Sequence, residues 1–154
     1  MLFRSMGAIA SGGVRVLNES IVRQLHISPA IIELVAAREQ QEIERRERLY
    51  RAGRPALPIQ GRTVILVDDG LATGASMLAA ARAVQAQQPK RIIVAVPAAA
   101  RATCDEFRQY VDEVICLQTP EPFYAVGAWY ENFSQVSDAE VQQFLERAQH
   151  EQVT

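Results

Sequence analysis

Hydrophobic positions change rhythm after Arg62. Residues 63–67 (Thr-Val-Ile-Leu-Val) form an unbroken β-branched and aliphatic run, the pattern of a strand buried on both faces of a parallel sheet. Residues 74–88 are alanine-rich, with Met77, Ala81 and Val84 at helical spacing, and predict a helix. A second apolar run over 91–96 predicts another buried strand, closed by Pro97. Residues 98–110 read as a helix and 113–117 as a third strand. Strand, helix, strand, helix, strand with short connections predicts right-handed βαβ units in an α/β fold.

The flanking segments have other patterns. Ala8-Ile9-Ala10 and Val14-Arg15-Val16-Leu17 are split by Gly12-Gly13, which predicts a hairpin or bent strand pair. Ser28-Pro29 supplies a helix N-cap and first-turn proline, and the helix is expected to run to about Tyr50. Its first half is apolar, with Ile31, Ile32, Leu34 and Val35. Residues 38–54 carry six arginines and four glutamates, interleaved as on a solvated helix face. A phosphate- or RNA-facing role for these arginines is the competing reading, but their net excess is a weak field. Gly53, Pro55 and Pro58 end the helix. Ser137-Asp138-Ala139-Glu140 is a capping box, opening a last helix with Val141, Phe144, Leu145 and Ala148 on one face.

Composition narrows the classes. The chain has 154 residues, 49% apolar and 22% charged, which suits one globular domain. Residues 1–5 read as a non-native leader and residues 6–150 as that domain. A net charge of −2 offers no global attraction to nucleic acid or anionic membrane. No apolar run approaches the roughly 20 residues of a membrane span. Cys104 and Cys116 form no disulfide framework and cannot alone build a zinc site. They are expected to be reduced core thiols in a cytoplasmic protein. His26 and His150 are isolated and read as non-catalytic.

Chemistry concentrates at the end of the first strand, where Asp68 and Asp69 precede a turn of small residues and a helix. Ligands of open α/β sheets bind at the carboxyl ends of the strands. A turn of small residues lets backbone N–H groups face a phosphate, and a helix N-terminus adds partial positive charge. Thr73 and Ser76 can donate hydroxyl hydrogen bonds to the same anion. Two carboxylates would repel that anion unless they face a sugar diol or a divalent cation. A buried acid pair has no packing reason to exist. The residues therefore suggest a ribose phosphate. A Walker A loop is excluded because no lysine follows Gly74, and a dinucleotide fingerprint because only Gly70 and Gly74 are present.

Val67-Asp68-Asp69-Gly70-Leu71-Ala72-Thr73-Gly74-Ala75-Ser76 resembles the 5-phosphoribosyl 1-pyrophosphate (PRPP) binding motif of type I phosphoribosyltransferases. Residues 46–55 and 122–133 also resemble bacterial and archaeal members, so the similarity spans nearly all of 6–150. The resemblance implies a Rossmann-like, three-layer α/β fold with a mainly parallel central sheet. It implies transfer of the phosphoribosyl group from PRPP to a nitrogenous acceptor, a nucleobase, with release of pyrophosphate. The alternative is a non-catalytic PRPP- or nucleotide-binding regulatory domain of the same fold. Asp68 and Asp69 would hold the ribose hydroxyls and act as the catalytic electrostatic groups. Gly70, Leu71, Ala72, Thr73, Gly74, Ala75 and Ser76 would wrap the 5′-phosphate. Mg²⁺ would arrive on the pyrophosphate, with no metal site of the protein's own. The implied partners are PRPP, an acceptor and a second copy in a homodimer, with no nucleic acid and no membrane.

Two features depart from the family pattern. The family's N-terminal strand and helix, joined by a Gly-rich pyrophosphate loop, have no counterpart, and Gly12-Gly13 does not fit that role. They are expected ahead of Met6. Ala72 stands where enzymes for 6-oxopurines carry an acid, so the loop looks more like the adenine type. Phe123, Tyr124, Trp129 and Tyr130 form the densest aromatic cluster. They read first as a packed C-terminal segment and second as a wall for an acceptor base.

Overall fold

The computed structural model describes residues 6–151. Residues 1–5, read above as a leader, lie outside the described residues, as does the side chain of His150. β1 (Gly7–Ala10) and β2 (Val14–Leu17) form the expected antiparallel hairpin, pairing Gly7 with Leu17 and Ala10 with Val14. The turn holds Gly12 and Gly13 at φ 78° and 76°, a left-handed backbone that favours glycine. A short helix the pattern did not predict, α1 (Glu19–Gln24), follows. Its signal was Asn18, whose side chain accepts the Ile21 N–H at 3.2 Å as an N-cap. α2 (Pro29–Arg51) begins on Ser28, which accepts from Ile31 N–H, and stops at Ala52 with φ 47°.

The central sheet is parallel. β3 (Thr63–Val67) and β4 (Gly70–Leu71) lie end to end along one side of β5 (Arg91–Ala99), and β6 (Glu113–Gln118) runs along its other side. α3 (Ala75–Gln85) and α4 (Arg101–Phe107) are the crossover helices between these strands. This is the predicted α/β arrangement with a mainly parallel sheet. β5 does not close at Pro97, as its sequence suggested, but continues to Ala99. The β6 ladder skips Pro97, passing from Val96–Cys116 to Ala98–Gln118, because proline has no N–H to donate. The second crossover helix is correspondingly shorter than 98–110, since its first residues remain in the strand.

The core lies on one face of the sheet. Ile92, Val94 and Val96 of β5 are buried with Met77 of α3 and Phe107 of α4. The opposite face is open: Val67 is 74% exposed, Leu117 75%, and Ile65 and Ile115 are exposed beside them. The expectation that β3 is buried on both faces therefore fails; its residues alternate between exposed and half-buried. α3 is alanine-rich because it is squeezed between two layers, the sheet strands β3 and β5 on one side and the β1–β2 hairpin on the other. Only small side chains, such as the buried Ala79 and Ala81, let both layers approach.

The cysteines also differ from expectation. Cys104 of α4 and Cys116 of β6 form a disulfide, with Cα atoms 6.7 Å apart. The crossover from β5 through α4 into β6 lays the helix on the strand it precedes, which brings together two thiols only 12 positions apart. α5 (Asp138–Glu151) opens on the predicted capping box. Ser137 N–H donates to Glu140 Oε2 at 2.8 Å, and Glu140 N–H donates to Ser137 Oγ at 3.3 Å.

Candidate functional site

The acid pair interrupts what is otherwise one strand. β3 pairs Thr63 with Arg91 and β4 pairs Gly70 with Ala98, so the register is the same before and after the gap. Asp68 and Asp69 occupy that gap. The Asp69 N–H donates to Asp68 Oδ1 at 2.9 Å, which holds the first carboxylate against the second residue's backbone. Both acids are exposed, not buried as the strand pattern suggested, because the ladder breaks where they stand. They stand at the carboxyl end of β3.

The turn after them is fastened from outside. Ala100 N–H donates to the Leu71 carbonyl at 2.9 Å. Thr103 Oγ1 on α4 donates to the Ala72 carbonyl at 2.7 Å. In a trans peptide the N–H of the next residue points opposite the carbonyl. The Ala72 and Thr73 N–H groups are thus turned away from these two donors. Gly74 has φ 71°, and a Cβ there would collide with the ring of Phe107. Only glycine lets the chain turn here and enter α3 at Ala75.

The sequence-predicted residues are contiguous, but they are not all exposed. Asp68, Asp69, Ala72, Thr73 and Ser76 are exposed, Gly70 and Ala75 half-buried. Leu71 is 1% exposed and belongs to the core, so only its backbone can line a site. Gly74 is buried. Gly70 is required by crowding: a Cβ would lie 2.7 Å from the Ala98 carbonyl oxygen and 2.7 Å from Val126 Cγ1.

Val126 belongs to the 3₁₀ turn Val126–Trp129, which seats the aromatic segment beside the acids. Phe123 stacks on Trp129 at 6.5 Å, and Tyr130 packs against Phe133 at 5.2 Å. Tyr124 is exposed. The Tyr130 hydroxyl donates to the Asp69 carbonyl at 2.6 Å. Tyr130 and Thr103 are the residues that sequence reasoning missed at this site. Tyr130 gave a signal as part of the aromatic cluster; Thr103 gave none.

The arginine-rich half of α2 is occupied elsewhere. Arg45 pairs with Glu42 and with Asp138 of α5, and Arg46 pairs with Glu42. These partners lower the Glu42 carboxyl to about 2. Arg54 donates to the carbonyls of Arg51 and Tyr50, capping the helix end. These arginines serve the solvated-face reading. A mainly apolar cavity of about 740 Å³ lies between the hairpin, α2, the 54–59 segment and α3. Ser76 borders it, and neither Asp68 nor Asp69 does.

A parallel α/β sheet with an exposed acid pair, a fastened turn and a helix start at the end of a strand has the arrangement of open α/β domains, whose ligands bind at the carboxyl ends of the strands. The phosphoribosyl transferase domain family matches residues 8–134, and the chain belongs to that family. Two Mycobacterium tuberculosis proteins from different strains, each named "Putative phosphoribosyl transferase", are 43% identical to it over 144 residues. The match covers 94% of this chain and 32% of each relative, so the chain spans about a third of their length. The crystal structure of TT1426 from Thermus thermophilus superposes with a TM-score of 0.71 at 39% identity. That match covers 92% of this chain and 67% of the other.

Proposed function

We propose that the turn between β3 and α3 binds PRPP and that the chain transfers its phosphoribosyl group to a nitrogenous acceptor, a nucleobase, releasing pyrophosphate. The observation that carries this reading is the exposed Asp68–Asp69 pair joined through a glycine turn to the start of α3. Ionised carboxylates are acceptors only, which suits two adjacent ribose hydroxyls. The start of α3 and the Thr73 and Ser76 hydroxyls suit the 5′-phosphate. Displacement at C1 of the ribose builds positive charge on the sugar, and carboxylates fixed beside it stabilise that charge without reorganising.

Mg²⁺ bound to the pyrophosphate would neutralise the leaving group. Among the described residues no three His, Cys, Asp or Glu side chains converge as a metal cage. A cation that keeps several waters and binds substrate phosphates would be carried by the donor. The domain is taken as residues 6–150, and a homodimer in the cytoplasm accompanies this reading. Among the described residues no helix is long and apolar enough to cross a membrane.

Asp68→Asn combined with Asp69→Asn is expected to abolish PRPP binding in titration calorimetry with Mg²⁺ present. Unchanged affinity would overturn the assignment. Pyrophosphate release from PRPP with a panel of nucleobases then separates transferase from regulator: binding without release for every base assigns the chain to the regulatory alternative.

A further inference from the structure

We infer that Tyr130 is a positioning residue for the ribose-binding acids, acting through the backbone carbonyl of Asp69. The inference rests on the reading of this turn as a PRPP site. Asp68 and Asp69 lie in the gap between β3 and β4, where the pairing rows with β5 are missing. A backbone segment without ladder rows needs another restraint to hold a fixed direction. Tyr130 supplies one from 61 positions away in sequence, donating its hydroxyl to the Asp69 carbonyl at 2.6 Å. Because the peptide is planar, fixing that carbonyl fixes the Asp69–Gly70 peptide plane. With the Asp69 N–H held on Asp68 Oδ1 at 2.9 Å, both peptide planes flanking Asp69 are restrained.

Tyr130 is itself held in place. Its ring packs on Phe133 at 5.2 Å, and its N–H donates to the Gly127 carbonyl at 3.4 Å. The 3₁₀ turn just before it presses Val126 onto Gly70, the residue next to the acids. The hydroxyl therefore reaches the acid pair from a seated element and not from a loose loop. The physical consequence is pre-organisation: a backbone already fixed at the acids leaves less freedom to lose when a sugar binds.

The test is Tyr130→Phe in the 154-residue chain, which removes the hydroxyl and keeps the ring. Calorimetry measures binding of PRPP, ribose 5-phosphate and 2-deoxyribose 5-phosphate, and thermal melting measures the fold. The loss of one well-aligned hydrogen bond predicts affinity for PRPP and ribose 5-phosphate about threefold to tenfold weaker. Affinity for the 2-deoxy sugar, which lacks one of the hydroxyls the acids read, is expected to fall by clearly less. The melting midpoint is expected to fall by no more than about 5 °C, the loss of one hydrogen bond with the fold kept. Equal affinities of Tyr130→Phe and wild type for all three ligands would overturn the inference while leaving the PRPP reading intact. So would equal losses for the two ribose 5-phosphates, which mark a merely structural role. Failure of the wild-type chain to bind PRPP at all would overturn the underlying reading and the inference with it.

Discussion

Gly74 and Thr103 show how much of this site is backbone management. Gly74 combines φ 71° with the Phe107 ring where a side chain would stand. Gly74→Ala is expected to destabilise the domain by about 2 kcal/mol or more, from left-handed backbone strain plus overpacking. A lowered urea midpoint at constant slope would show it. Thr103 holds the Ala72 carbonyl through one hydroxyl on a half-buried side chain. Thr103→Val keeps the shape and removes the donor. It is expected to cost less than about 1.5 kcal/mol in stability while weakening PRPP about threefold to tenfold. Neither effect was legible in a single residue type. The acids, the two glycines and the hydroxyls of the turn were readable because their chemistry sits in consecutive positions. Tyr130 and Thr103 were not, because their contacts span 61 and 31 positions.

Helices and strands carry the next set of consequences. α2 and α5 are joined by Asp138, which accepts from the Tyr50 hydroxyl at 2.6 Å and from Arg45 at 2.8 Å. Tyr50 first and Arg45 second hold the Asp138 carboxyl below its ordinary value of 3.8. A carboxylate depressed in the folded state contributes stability above its unfolded value and loses it as pH falls. Glu42, lowered from 4.5 to about 2, follows the same sign. Asp138→Asn should therefore lower the melting midpoint at neutral pH, and its difference from wild type should vanish in strongly acidic buffer. A difference independent of pH would contradict the pairing. α4 and β6 are joined instead by the Cys104–Cys116 disulfide. Thiol titration of the unreduced protein is expected to find neither cysteine reactive, and reduction should cost about 2–3 kcal/mol for so short a loop. Disulfides seldom persist in a reducing cytoplasm, so the thiol count of protein isolated under non-reducing conditions also bears on where the chain resides.

At the largest scale, the sheet is one-sided among the described residues. Val94 is fully buried, whereas Val67 and Leu117 on the other face are mostly exposed. Val94→Ala is expected to cost about 2–3 kcal/mol, while Val67→Thr and Leu117→Thr each cost less than about 1 kcal/mol. Urea unfolding of the three variants checks the asymmetry; equal losses would mean that the second face is covered in solution.

By itself the sequence determined the βαβ order, the capped helices, the hairpin and the position of the Asp68–Asp69 turn before α3. These features depend on neighbours a few residues apart: hydrophobic period, cap residues, and glycines where the backbone must turn left-handed. Tertiary structure alone decided the rest. It left one face of the β3–β6 sheet open, because burial depends on which layers are present and not on how apolar a strand is. It joined Cys104 to Cys116 through a crossover. It also brought the Tyr130 hydroxyl onto the Asp69 carbonyl, since hydrogen bonds between distant segments are set by the path of the chain through space.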